Sequence, residues 1–128
     1  MKANELRIGN WAHFDNRMGM SYDYQVTPQY FRQLGFDLSD NLDLELNGFH
    51  TPIPLTPEVL EKCNATKNHR YNTYMFEQFC VHEENGEFHL MNNEYSNASC
   101  YHICNVKYLH QLQNQIFSLS GKELTYKP

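Results

Sequence analysis

No stretch of the sequence approaches the ~20 consecutive apolar residues that a membrane-crossing helix needs. The opening Met1-Lys2-Ala3-Asn4-Glu5-Leu6-Arg7 has no apolar core behind its lysine, so it does not read as a secretion signal. Basic residues are scarce: ten Lys and Arg stand against fifteen Asp and Glu, a net charge of −5 with histidines neutral. A protein that grips phosphate backbones concentrates Lys and Arg, and nothing here concentrates them, so direct nucleic-acid binding is not expected. Also missing are a Cys-x-x-Cys pair, a Gly-x-Ser-x-Gly elbow and a phosphate-cradling glycine loop. These absences predict a protein without a catalytic apparatus, without a cofactor and without a membrane partner, resident in the cytoplasm. Its four cysteines are then reduced thiols.

What is present is enough for one packed domain spanning residues 1–128. Hydrophobic residues make up 41% of the chain and aromatics 14%, which supplies a core and leaves rings to spare for contacts. An acidic chain rich in rings suits a basic protein partner, steered by complementary charge.

The pattern predicts an α+β fold: a small mixed or antiparallel sheet with a three-strand meander, two short Thr-Pro-capped helices and a longer C-terminal helix. Leu6 to Phe14 reads as a first strand bent at Gly9-Asn10, and Tyr22 to Val26 as a second. Thr27-Pro28 and Thr56-Pro57 each offer a capping hydroxyl followed by proline at the first helical position, opening helices that run to Leu34 and Asn64. Leu42, Leu44 and Leu46 alternate with acids as a half-wet strand. Ala65 to Arg70 reads as a loop, and Tyr71 to His82 as one long strand. Glu83-Glu84-Asn85-Gly86 is a hairpin turn, Glu87 to Met91 its return strand, and Ser96 to Cys104 the third. Val106 to Leu119 is helical, with Asn105 as N-cap and Gly121 as its left-handed terminator. Residues 123–127 suggest a terminal strand.

Two sets of candidate site residues follow. Cys80 and His82, with Cys100, His102 and Cys104, sit at i, i+2 spacing on strands. If the two strands paired, four of these residues would suit tetrahedral zinc. Thiols also pack as small core hydrophobes, and that reading is preferred. The second set is a partner-binding one. It comprises the rings of Tyr71, Tyr74, Phe76, Tyr95 and Tyr101 on the meander, and the carboxylates of Glu83, Glu84 and Glu87 at its hairpin tip. The alternation places Tyr71, Thr73, Met75 and Glu77 on one face, and Tyr74, Phe76 and Cys80 on the other. Gln113, near the apolar stripe of the last helix, is expected to bond internally.

Three segments carry a resemblance: Lys2 to Trp11 (KANELRIGNW), Pro52 to Leu60 (PIPLTPEVL) and Tyr108 to Leu124 (YLHQLQNQIFSLSGKEL). With these the chain resembles a widespread group of small uncharacterised proteins encoded by bacterial phages and prophages. The segments cover about a quarter to a third of the chain and read as scaffold, while Asn64 to Cys104 looks individual. The resemblance implies no catalytic residues. It implies a setting in which a small acidic protein binds and disables a host antiviral effector, such as a CRISPR nuclease. The alternatives are a phage structural or adaptor module, and a small zinc- or Cys-dependent enzyme.

Overall fold

The computed structural model describes residues 5–30, 50–92 and 101–128. The chain is α+β, dominated by two antiparallel sheets. The smaller has the order β2-β1-β3, from β1 (Trp11–Asp15), β2 (Ser21–Gln25) and β3 (His50–Thr51). The larger is a five-strand meander of β4 (Thr66–Asn68), β5 (Thr73–Phe76), β6 (Phe79–Glu84), β7 (Glu87–Asn92) and β8 (Tyr101–Val106). Two described helices complete it, α1 (Pro57–Lys62) and α2 (Leu109–Ser120).

The meander is longer than the sequence suggests because Tyr71 to His82 does not run straight. A twelve-residue strand would extend about 40 Å, more than a domain of this size can cover. The chain instead turns at Glu77-Gln78 and pairs Phe76 with Phe79, so that Tyr74 and Val81 face each other on the buried side. The polar stretch expected as a loop supplies edge strand β4, whose Thr66, Lys67 and Asn68 pair with β5. The expected turn between β6 and β7 is present. Asn85 (φ 53°) and Gly86 (φ 79°) both take the left-handed backbone that a two-residue hairpin of this twist requires.

One face of the meander forms the core with the helices. Tyr74, Val81, Leu90, Leu60, Leu109 and Leu112 are all fully buried there. Helix α1 starts as expected, with Thr56 Oγ1 accepting the Val59 N–H at 3.2 Å. Thr27 does the same for Tyr30 at 3.2 Å, and residues 28–30 are helical. The rest of that helix and the Leu42–Leu46 strand lie outside the described residues.

Helix α2 begins three residues later than expected, with Tyr108 rather than Asn105 at its cap. Asn105 and Val106 close β8, and Pro54 bridges to Tyr108, holding that stretch extended. Gln111 Oε1 then accepts the N–H groups of Lys107 (2.9 Å) and Tyr108 (3.2 Å). Gly121 (φ 70°) ends the helix and donates to Phe117 O, as expected.

Both chain termini differ from expectation. Leu6 to Asn10 is a turn rather than a strand, with Asn10 Oδ1 accepting the Arg7 N–H at 2.6 Å and Ile8 half exposed. The C-terminal segment adds no strand among the described residues, yet it buries Leu124 and Tyr126 and donates from Lys127 N to Lys62 O.

Candidate functional site

The proposed partner-binding residues do not form one face. Tyr71 is exposed, whereas Tyr74 is wholly buried and Phe76 packs against the core, so neither of these two presents a ring to solvent. Glu83 is half-buried, and Glu84 and Glu87 are exposed on either side of the Asn85-Gly86 turn. Tyr95 and the Tyr101 side chain lie outside the described residues. Among the described candidates, Tyr71 and the acidic turn therefore face solvent. The turn borders an open groove of about 550 Å³ whose lining includes Pro54, Leu55, Glu87, Phe88, Lys107 and Gln111.

The zinc premise fails on topology. Strand β7 lies between β6 and β8, so the two candidate strands do not pair. The turn at 77–78 also reverses the expected parity: Cys80 pairs with Met75 and shares its face, opposite Tyr74. Cys80 is almost fully buried, while Cys104 pairs with Leu90 on the core side, and Cys100 lies outside the described residues. Burial pushes the Cys104 thiol up, and pushes that of Cys63 up to about 12, which suits packed thiols rather than nucleophiles. No group of three or more His, Cys, Asp or Glu side chains is gathered around a metal position among the described residues.

The outer face of the meander instead gathers histidines. His82 on β6 stands opposite His89 on β7, with ring centroids 6.5 Å apart. His89 stands opposite Asn105 on β8. A bulge between Leu90 and Met91 shifts the β8 register, so His102, three residues before Asn105, joins the same face. His89 Nδ1 lies 2.7 Å from Asn105 Oδ1, and His102 Nε2 lies 2.8 Å from it. The sequence reading named His82 and His102 but passed over His89 and Asn105. The missing information was the strand register, together with the bulge that places His102.

A second polar network lies on the β1–β2 hairpin. His13 and Asp23 are cross-strand partners, with Nδ1 and Oδ1 2.7 Å apart. Ser21 Oγ lies 3.0 Å from His13 Nε2, and Tyr126 donates to Asp23 Oδ2 at 2.8 Å. A carboxylate only accepts, so Nδ1 carries the proton and Nε2 faces the Ser21 hydroxyl. The contact order is that of nucleophile, base and orienting acid. The residue paired with Ser21 is Asp15, however, a carboxylate whose Oδ1 already accepts the Arg17 N–H at 2.7 Å. Negative charge beside the hydroxyl opposes the oxyanion that acyl transfer builds up. The network's evident effect is structural: it ties the C-terminal segment, through Tyr126, to the hairpin. Burial, with the hydrogen bond to Asp23, raises the Tyr126 phenol well above its ordinary range.

The other face of that hairpin carries Tyr24, whose hydroxyl lies 2.9 Å from Tyr30 Oη and 3.0 Å from His50 Nδ1. Burial, then the hydrogen bond to Tyr30, raises Tyr24, while burial lowers His50. Burial raises Tyr30 as well, so all three are neutral near pH 7 and the half-buried ring cluster carries no charge.

No family model, curated protein or solved structure matches this chain. Among the described residues no helix is long and apolar enough to cross a membrane.

Proposed function

We propose that this chain is a phage- or prophage-encoded binding protein that blocks a host antiviral effector by direct protein contact, in the manner of an anti-CRISPR inhibitor. The observation that carries this reading is the acidic β6–β7 turn. Glu83, Glu84 and Glu87 surround a two-residue turn whose backbone is fixed by Asn85 and Gly86, at the end of strands paired along their full length. The backbone of this tip needs no ordering on contact, so only the side chains of the carboxylates lose freedom as they meet a basic surface.

A channel that holds nucleic acid is such a basic surface. The net charge of −5 steers the whole chain toward it. The groove beside the tip, with apolar Pro54, Leu55 and Phe88 at its base, offers the desolvated contact that charge alone does not supply. The resemblance of the three scaffold segments to phage-encoded proteins supplies the biological setting.

The test is interference. Expressed in a bacterium with an active CRISPR system, the wild-type chain restores phage plaquing or transformation by a targeted plasmid. The Glu83→Lys/Glu84→Lys/Glu87→Lys variant does not. Unchanged immunity across several system types removes the inhibitor reading.

A further inference from the structure

We propose that His89, His102 and Asn105 form a binding site for a divalent transition-metal ion of the zinc or nickel class, on the outer face of β7–β8.

Three atoms converge there. His89 Nδ1 and His102 Nε2 are 3.4 Å apart, and Asn105 Oδ1, which can only accept, takes a hydrogen bond from each at 2.7 and 2.8 Å, so a bound ion would replace the two ring protons aimed at it. Two nitrogens bound to a tetrahedral zinc at about 2.05 Å stand about 3.3 Å apart, so the imidazoles already hold the spacing a shared ion imposes. The three atoms span a triangle small enough for one ion to sit above it within bonding distance of all three. Imidazole suits zinc, copper and nickel, and an amide oxygen completes a three-ligand set that leaves the remaining positions to water or a partner's side chain.

Two further features support the assignment. The bulge at Leu90/Met91 brings His102 onto this face, and bulges recur where a side chain must be re-aimed toward a site. The ligands come from paired strands rather than a loop, which keeps their separation fixed as the ion arrives.

The site explains why the sequence-level zinc set was misplaced. Of its described cysteines, Cys80 is buried and Cys104 lies on the core side, while the histidines that share a face sit on neighbouring strands. The site also stands apart from the inhibitor reading, since it needs no partner protein.

The experiment uses the full chain, stripped of metal with a chelator and kept reduced, titrated separately with zinc chloride and nickel chloride by calorimetry. The expected result is one equivalent bound with saturable heat. His89→Ala and His102→Ala each weaken binding at least tenfold. Both side chains lie on the outer face away from the core, and circular dichroism confirms that the variants keep their fold. A Cys80→Ala/Cys100→Ala/Cys104→Ala variant retains the site. Absence of saturable binding overturns the proposal. So does binding that survives both histidine substitutions, or that disappears with the cysteines.

Discussion

Gln113, fully buried on helix α2, accepts the Trp11 backbone N–H through Oε1 at 3.0 Å, joining the last helix to the first strand. Its Nε2 donates to Leu124 O at 3.3 Å and Gly9 O at 3.4 Å. Beside it, Arg7 is paired with Glu123, donates to Asn114 Oδ1 at 3.2 Å and stacks over the Phe117 ring at 4.1 Å. Leu55 N to Lys107 O and Leu109 N to Ile53 O bring in the Pro52–Leu60 segment. The described residues of the segments Lys2–Trp11, Pro52–Leu60 and Tyr108–Leu124 thus meet in one hydrogen-bonded unit.

Gln113→Leu should cost about 2 kcal/mol in urea unfolding, because it strands the Trp11 N–H and the buried Leu124 carbonyl, while Gly9 O keeps its bond from Gln25. Gln113→Glu should also destabilise, since a buried carboxylate cannot donate to either carbonyl. A loss below about 0.5 kcal/mol in both variants would mean that the first strand is anchored elsewhere.

Tyr74 makes a more unusual prediction. It is fully buried, and its hydroxyl finds no hydrogen-bond partner among the described residues. Removing an unsatisfied buried hydroxyl is neutral or favourable, so Tyr74→Phe should leave the urea midpoint unchanged or raised. Tyr74→Ala should cost about 4 kcal/mol through the cavity it leaves. A Phe variant that loses more than about 1 kcal/mol would reveal a bond from the hydroxyl.

His110 sets a pH dependence. Burial depresses its folded-state pKa below the ordinary 6.5. The unfolded chain therefore binds the proton first as pH falls, and stability declines from about pH 6.5 downward. His50, depressed by the same cause, acts in the same direction. Denaturation followed from pH 8 to pH 5 should show this slope, and His110→Gln should flatten part of it.

Ser21 separates chemistry from scaffolding. With Asp15 opposite, the Ser21–His13–Asp23 network should give no adduct with a fluorophosphonate probe. Tyr126→Phe should lower stability by about 1 kcal/mol through the lost bond to Asp23. A His13-dependent adduct at Ser21 would show that the contact order is catalytic after all.

Local chemistry made much of the fold legible. The Thr-Pro caps, the Asn85-Gly86 turn and the Gly121 terminator each act over four or five residues, and each stands where its residues indicate. Register was not legible. Whether Tyr71 to His82 is one strand or two depends on Phe76 meeting Phe79, a pairing that local propensity cannot weigh. The same two-residue turn set which face Cys80 takes, and the β8 bulge placed His102 beside Asn105. Val106 fits a helical stripe and a strand end equally well, so the helix start was misread. The acidic turn was a candidate contact that needed no long-range pairing, and its Glu84 and Glu87 are exposed, as is Tyr71.

The central claim, that the acidic turn contacts a basic host enzyme, is tested most directly by affinity capture. Tagged wild-type chain and the Glu83→Lys/Glu84→Lys/Glu87→Lys variant are each incubated with nuclease-treated bacterial lysate, and bound proteins are identified by mass spectrometry. The account predicts that the wild type retains a nucleic-acid-handling defence enzyme after nuclease treatment. It also predicts that rising salt releases that enzyme and that the variant recovers at least tenfold less of it. Recovery of only the chain itself or phage virion proteins would contradict the account, as would capture that the charge reversal leaves intact.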